Sequence, residues 1–462
     1  MKKSCTLLFL FVSLSFLGQI RLTDVPFEFK KSSDYHQLHT IVHPKTHEVF
    51  SFATDKEKLF GVKFNSALFF SDSITINKPD LFRYMMGCGF TKDNNPIAYW
   101  ATYDLEKFIG VEFDFKTHTT KTIQYPLNLK KQTLFTDFYH QGVLYFLTQT
   151  KETKLVELIV MNGHEVTRKT LDFSKFNLEN DLQKKTTLST LLEQFGLYKI
   201  DTNGFNSYVT ATNPIKYYLR DTTLVITLDN TTKKTQIFEI DLLTYTIKER
   251  TFKYSLSENI KESNSLLFGN YVFQLSYKKE QFEIRILNYS DEKLLKTYTI
   301  TESDALPFKD ILFYNQTPNK IPQELKNAKR FLKKLSNASL GASLYHFNGQ
   351  YVATFGGYKT MTRNSDIFVD LISAATGYDN LGFSGNDIEQ NVYFDVTMTS
   401  DFEQTTPVKQ PLYIDKIAQF TSENRNIKYE YCFSYKDFYI LTYYDKNENK
   451  IVLSKFTDGF DY

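Results

Sequence analysis

The feature that most constrains this chain is a repeated sequence pattern that spans two strands. Apolar and polar residues alternate through each repeat, which is typical of half-buried β-strands. Six complete copies lie at 48–65, 97–114, 143–160, 224–241, 271–288 and 438–456. A seventh begins at 350–360, is interrupted, and resumes at 391–402. Each copy follows another strand pattern, and most precede a fourth, so the repeat predicts seven units of four antiparallel strands.

A four-stranded unit cannot bury both of its faces alone and has to stack against its neighbours. The repeat resembles that of β-propellers, and the resemblance implies an all-β fold, a seven-bladed β-propeller of four-stranded antiparallel blades. Six blades, or two β-sandwiches side by side, are the alternatives. No Trp-Asp pair recurs, and the Ser-x-Asp-x-Gly-x-Thr-Trp box of sialidase-like propellers is absent, so no subfamily is matched.

The last unit ends after its third strand, while the strand pattern VPFEFK at 25–30 belongs to no unit. We expect this segment to pair with the last unit and to close the ring.

The N-terminus has the pattern of a secretory signal peptide, which we place at 1–20, ahead of one propeller domain over 21–462. Two lysines precede an apolar run at 7–17 that is shorter than the roughly 18 to 20 residues needed to span a bilayer. No later run is long enough to span. The pattern predicts an exported protein, periplasmic first and extracellular second. After cleavage Cys88 and Cys432 remain, and we expect two buried free thiols. A net charge of +2 does not favour nucleic acid as a partner.

Three connections between strand patterns are long, at 174–213, 302–340 and 361–390. The first two link a fourth strand to the next first strand, and the third links a second strand to a third. Such links leave a sheet at the same edge, so we expect helical insertions on one face of the propeller.

Each insertion carries a helix pattern. The first has an apolar stripe that ends before Gly196, and its members are Leu188, Leu191, Leu192 and Phe195. The second predicts a helix that starts at Pro322, with the apolar stripe Leu325, Ala328, Leu332 and Leu335. The third shows a short helix pattern and then a loop rich in Gly and Asp.

The insertions also supply the candidate binding residues. Five cations lie opposite the apolar stripe of the second helix, where they predict a basic face for an acidic partner or for anionic lipid: Lys326, Lys329, Arg330, Lys333 and Lys334. Lys326, Arg330 and Lys333 are the candidate binding residues among them. A solvated helix face is the alternative. The third insertion adds exposed aromatic candidates, which are Phe368, Tyr378 and Phe383.

Metal and catalytic signals are weak. His43 and His47 flank a turn, and Asp379 and Asp387 lie in the third insertion, but neither pair has a full ligand pattern, so we predict no metal and no cofactor. Asp114 and Asp241 occupy matching places in the repeat, where we expect them to support turns rather than to cleave glycosides.

The sequence has no Gly-x-Ser-x-Gly motif, no phosphate-cradling glycine loop and no identifiable small-molecule substrate site. It therefore favours a non-catalytic propeller that binds another protein. The composition and the signal resemble those of Bacteroidota cell-envelope proteins, which implies a periplasmic subunit or partner of an outer-membrane or secretion assembly. A glycan-binding or glycan-cleaving propeller is the alternative.

Overall fold

The structure is a computed structural model that describes residues 19–30, 35–201, 206, 208–254, 259–303, 306–317, 320–361, 388–408 and 410–459. Its strands form seven sheets, antiparallel except for one short parallel edge pair, and these are the seven blades of the predicted all-β propeller. The chain divides into two compact units, Met1–Thr170 with Lys409–Tyr462, and Leu171–Val408. The prediction of one domain over 21–462 stays a prediction.

The first unit contains blades 1, 2, 3 and 7. Blade 1 consists of β2 (Gln37–Val42), β3 (Val49–Thr54), β4 (Lys58–Phe64) and β5 (Phe70–Asn77). Blade 2 consists of β6 (Phe82–Phe90), β7 (Pro96–Thr102), β8 (Phe108–Asp114) and β9 (Thr119–Tyr125). Blade 3 consists of β10 (Gln132–His140), β11 (Val143–Thr150), β12 (Val156–Asn162) and β13 (Glu165–Leu171). Blade 7 consists of β28 (Ile427–Tyr435), β29 (Phe438–Asp445), β30 (Lys450–Phe456) and β1 (Gln19–Pro26), and α4 (Tyr413–Glu423) precedes it.

The second unit contains blades 4, 5 and 6. Blade 4 consists of β15 (Ile215–Arg220), β16 (Thr223–Leu228), β17 (Lys234–Asp241) and β18 (Ile247–Lys253), with β14 (Tyr198–Lys199) at its edge. Blade 5 consists of β19 (Glu262–Phe268), β20 (Tyr271–Lys278), β21 (Gln281–Asn288) and β22 (Leu294–Thr301). Blade 6 consists of β25 (Ser339–Phe347), β26 (Gln350–Met361), β27 (Ile388–Thr399), β23 (Phe313–Gln316) and β24 (Gln323–Leu325). Three helices accompany these blades: α1 (Leu188–Phe195), α2 (Tyr208–Ala211) and α3 (Ala328–Leu335).

Apolar side chains fill the space between successive blades of each unit, because the alternation puts one set of residues on each face of every strand. Phe52 of β3 and Phe113 of β8 join blades 1 and 2, with ring centroids 5.1 Å apart. Phe273 of β20 and Phe355 of β26 join blades 5 and 6 at 6.4 Å. None of the helices in the described ranges is long and apolar enough to cross a membrane.

The last blade is completed by the first strand, as the sequence predicts. β1 pairs antiparallel with β30, and Val25 lies opposite Ile451. The paired segment is Gln19–Pro26 rather than 25–30, and the Phe27 N–H adds one further hydrogen bond to the Asn449 carbonyl at 2.9 Å. The next residues anchor the segment, since Phe27 stacks on the ring of Phe60 with centroids 4.9 Å apart.

Blade 6 departs from the repeat in a way that the sequence does not reveal. Its fourth position is filled by β23, which comes from the second insertion, upstream of β25, and which pairs Phe313 with Phe394 of β27. The helix predicted from Pro322 is therefore wrong at its start. Leu325 lies in β24, and α3 begins at Ala328.

The N-cap residue Asn327, rather than Pro322, determines where α3 begins. Asn327 accepts a hydrogen bond on Oδ1 from the N–H of Arg330 at 3.1 Å, which satisfies one donor of the first turn. Phe331, rather than Leu325, completes the apolar stripe, and its ring stacks on that of Phe313 with centroids 4.6 Å apart.

The helix predicted in the first insertion is confirmed as α1. Thr187 caps it by accepting a hydrogen bond from Thr190 N–H at 3.2 Å, and Gly196 ends it with φ 74°. Its buried residues include Leu188, Leu191 and Leu192.

A fully buried ion pair holds the second unit together at one end of blades 4 and 5. The Lys216 ammonium of β15 lies 3.0 Å from Asp229 Oδ2, and neither side chain is exposed. Lys216 also donates to Asn264 Oδ1 at 2.6 Å and to the Asn213 carbonyl at 2.8 Å, so all three of its protons are bound. Burial lowers the pKa of Lys216, and the charge of Asp229 opposes that effect.

The partners of Lys216 connect three blades and the first insertion. The Asp229 carboxylate accepts the hydroxyls of Thr235 (2.7 Å) and Ser265 (2.8 Å). Asn264 Nδ2 donates to the carbonyls of 211–212 (3.1 and 3.0 Å) and to the Leu340 carbonyl of β25 (2.6 Å). The end of α2, the first strand of blade 5 and the start of blade 6 therefore meet at one amide group.

Replacing Lys216 by methionine should lower the free energy of unfolding by about 3 kcal/mol or more, because it leaves a carboxylate buried without its counter-charge. Urea unfolding of Lys216→Met against the unchanged chain measures this loss. Lys131→Met is the matched control, since Lys131 pairs with Glu152 in solvent, with side chains 84% and 75% exposed, and should cost less than about 1 kcal/mol. Equal losses in the two variants would contradict the prediction.

Candidate functional site

Segments of all three insertions lie at one end of blade 6, whereas the start of the first insertion is bonded to blade 4, where Asn230 Nδ2 donates to the Glu179 carbonyl at 2.7 Å. The second insertion brings α3 against β26, where a Cβ placed on Gly357 would lie 2.7 Å from Ala338 Cβ and 2.8 Å from Leu335 Cδ1. Only glycine permits this approach. The third insertion leaves the same end, because β26 runs on to Met361 and pairs there with Ile388.

The first insertion reaches the same end through α2. Tyr208 donates its hydroxyl hydrogen bond to the Val392 carbonyl of β27 at 3.4 Å, and Ser343 of β25 donates to the Asn206 carbonyl at 2.6 Å. The short helix is therefore tied to two strands of blade 6.

A group of cations lies on α3 and just before it. Arg330 and Lys333 of α3 are exposed, and Lys334 of the same helix is half-buried. Lys326 is also exposed, but it precedes the helix on which the sequence places it. The binding role of these residues stays a prediction. No carboxylate among the described residues pairs with these four side chains. Their neighbour Lys329 differs, since its ammonium lies 2.8 Å from Glu302 Oε2.

A fifth cation joins this group from another part of the chain. Lys359 of β26 is half-buried, and burial together with the charge of Lys334 lowers its pKa. The two ammonium groups repel each other, and an anion bound between them would relieve that repulsion. We call Lys326, Arg330, Lys333, Lys334 and Lys359 the basic surface.

The aromatic candidates Phe368, Tyr378 and Phe383 lie outside the described residues, and so do Asp379 and Asp387. Their assignments stay predictions.

The His43 side chain is hydrogen-bonded to the backbone of its own turn. Its Nδ1 accepts the N–H groups of Lys45 (3.3 Å) and Thr46 (3.0 Å), and Nε2 lies 3.2 Å from Asn94 Oδ1. With Nδ1 accepting, Nε2 carries the proton and donates, so neither nitrogen has a lone pair free for a metal. His47 contributes its carbonyl to Tyr435 Oη at 2.7 Å. Among the residues that the structure describes, no group of three potential ligands comes together.

Asp114 and Asp241 support turns, as expected. Asp241 Oδ1 accepts the N–H groups of Leu243 (2.8 Å) and Thr244 (2.6 Å), and these bonds hold the pKa of Asp241 below its ordinary value. Asp114 accepts Lys116 N–H in the same way at 2.9 Å. The cysteine expectation is half right, since neither cysteine is in a disulfide, but Cys88 is buried and Cys432 is exposed.

One carboxyl group at this end of the neighbouring blade 5 is strongly perturbed. Burial raises the pKa of Glu262, the first residue of β19, to about 7. Between about pH 4.5 and pH 7, Glu262 therefore stays protonated in the folded chain but is ionised in the unfolded chain. The contribution to stability is therefore present at low pH and is lost as the pH rises through 7.

No family model matches the chain, and no curated protein matches its sequence. Among solved structures, the β-propeller domain of Nup133 from Vanderwaltozyma polyspora is 8% identical with a TM-score of 0.34, and the match covers 94% of this chain and 97% of that domain. The Dos1 propeller is 10% identical with a TM-score of 0.29, over 79% of this chain and 82% of that one.

An apocarotenoid oxygenase of Synechocystis is 8% identical with a TM-score of 0.29, and the match covers 59% of this chain. It spans only 62% of the oxygenase chain. These scores are low, and the assignment to the β-propellers rests on the seven sheets themselves.

Glu262→Gln should remove a pH dependence of stability. The free energy of unfolding of the unchanged chain should fall between pH 4 and pH 8 by up to about 3 kcal/mol more than that of the variant, because the variant has no carboxyl group to ionise at this position. Urea unfolding at several pH values measures this difference. Glu292→Gln is the control, because Glu292 is exposed in a turn of the same blade. Parallel pH profiles for Glu262→Gln and the unchanged chain would contradict the prediction.

Proposed function

We propose that this protein is a non-catalytic scaffold that binds an acidic protein partner through the basic surface of blade 6. The observation that carries the proposal is the set of five cations that no described carboxylate neutralises. Some surface lysines elsewhere in the chain do have carboxylate partners, as in the pairs Lys92 with Glu165 and Lys130 with Glu106. The basic surface therefore keeps its charge available for a second molecule.

The support beneath the cations favours binding to a protein surface. α3 is fixed by buried Phe331, Leu332 and Leu335, so its charges are presented in a constant arrangement. Charges held on a rigid element lose less conformational entropy on binding than charges on a free loop. Arg330 and Lys333 are one turn apart on the exposed side, which suits a partner with carboxylates at a similar spacing.

We further propose that the protein is exported, with 1–20 as its signal peptide, and acts in the periplasm of a bacterial envelope. The charged and then apolar pattern of the N-terminus supports export. Within the envelope, the partner proposed is a component of an outer-membrane or secretion assembly that presents an acidic surface.

Reversing three charges should abolish this interaction. Tagged chain carrying Lys326→Glu, Arg330→Glu and Lys333→Glu should lose the partner that the unchanged chain retains after crosslinking and detergent extraction of cell envelopes. The complex of the unchanged chain should also weaken at about 0.5 M salt, because exposed charges are screened there. Mass spectrometry of the crosslinked band measures both effects.

The matched control reverses three exposed cations outside the basic surface, Lys116, Lys121 and Lys248. This variant should retain the partner. Equal retention by both triple variants would contradict the assignment of the surface, and a chain that always purifies alone would contradict the scaffold. Binding of the purified chain to vesicles of anionic lipid, with no protein partner, would reassign the surface to membranes.

A further inference from the structure

A second cluster, in the first unit, places one arginine among three tyrosine rings. The Arg83 guanidinium carbon of β6 lies 5.3 Å from the ring centroid of Tyr35, 5.7 Å from that of Tyr84 and 5.4 Å from that of Tyr103. The three tyrosines come from the segment before β2, from β6 and from the turn after β7. Cation–π attraction of this kind holds the guanidinium in place.

The N–H groups of Arg83 have no acceptor within the described ranges, and Nε is buried without a partner. Two other arginines of this unit have carboxylate partners, since Arg21 donates to both carboxylate oxygens of Glu448 at 2.9 and 2.8 Å and Arg168 donates to Glu157 at 3.3 Å. A guanidinium carries five donors in a planar fork that fits a carboxylate or phosphate. An anion is therefore the missing partner of Arg83.

The neighbouring charges decide which anion fits. The Lys78 ammonium lies 5.8 Å from the centroid of the Tyr35 ring and donates to the Phe82 carbonyl. Burial, together with the charge of Arg83, lowers the pKa of Lys78, and the charges of Asp80 and Asp55 oppose that effect. The two cations therefore lie in the field of two carboxylates, and the site has little net charge. A carboxylate, which adds one negative charge, suits such a site better than a dianionic phosphate, which adds two.

The surface beside Arg83 offers aromatic and apolar contact. The side chain of Tyr103 is 70% exposed, its ring stacks with that of Tyr84 at 6.1 Å, and Leu81 is 81% exposed. An exposed aromatic ring next to a charged donor suits a sugar ring, whose C–H face packs on the aromatic face while its polar groups point elsewhere.

We propose that Arg83, Tyr84 and Tyr103 bind a uronic acid residue of an acidic glycan. The Arg83 fork donates two hydrogen bonds to the sugar carboxylate, and Tyr103 packs on the C–H face of the ring. This site is independent of the basic surface, which lies in the second unit.

Titration calorimetry of the full chain with a digalacturonate tests the proposal. Arg83→Gln should weaken binding at least about 10-fold, as expected for loss of a charge-assisted pair. Tyr103→Ala, a change at an exposed side chain, should weaken it about 3-fold to 10-fold. Arg220→Gln is the matched control, because Arg220 lies over a single ring among the described residues, that of Tyr289 at 5.0 Å from its centroid, and it should leave the affinity unchanged.

A neutral glucose disaccharide and inorganic phosphate complete the test, and both should bind at least about 10-fold more weakly than digalacturonate. Equal affinity for the neutral sugar, tighter binding of phosphate, or no binding of digalacturonate would overturn the proposal. If Arg83→Gln fails to fold by circular dichroism, Tyr103→Ala decides the matter, and an unchanged affinity in that variant would also overturn it.

Discussion

The buried pair of Lys216 and Asp229 is the interaction on which the second unit depends. Removing both charges from water is costly, and only a complete set of hydrogen bonds offsets that cost. Here each donor of the ammonium is used, and Asn264 passes the network on to the Leu340 carbonyl. Leu340 lies just after α3, so the placement of the basic surface is tied to this network. A one-residue slip of β25 would leave polar groups buried without partners, which makes the network a device for selecting a single register.

The alternation of apolar residues was enough to predict the blades, because every second side chain of a half-buried strand has to be apolar. It was also enough for α1, where stripe and caps agree. The alternation did not predict the composition of blade 6. The strand FYNQ at 313–316 is too short to show a period. It also precedes the long strands of its blade in the chain, so the order of the sequence does not indicate that it pairs with β27. Pro322 is an acceptable helix start by local rules, but β24 and the cap at Asn327 displaced the helix by about two turns.

Sites were harder to predict than strands for the same physical reason. The cations of α3 follow a helical period and could be identified, whereas Lys359 joins them only through the packing of α3 on β26. Arg83 and its tyrosines come from three separate segments, so no spacing rule connects them. His43 shows the opposite case, in which the sequence suggests a ligand that the structure does not support. Its position beside a turn suits a metal ligand, but its two nitrogens are already hydrogen-bonded to backbone N–H groups and to the Asn94 amide.

The pairing of β1 with β30 has a consequence for how the chain is made. Arg21 and Glu448, which are 427 positions apart, meet across this pair, so the contact belongs to the class that closes last and most slowly. During synthesis, β1 is made long before β30 and has no partner until nearly the whole chain is complete. Until then it presents an open edge to other chains, and a ribosome that stops before β30 releases a product prone to intermolecular strand pairing. We therefore expect truncated chains to aggregate, rather than to fold into a propeller that lacks one blade.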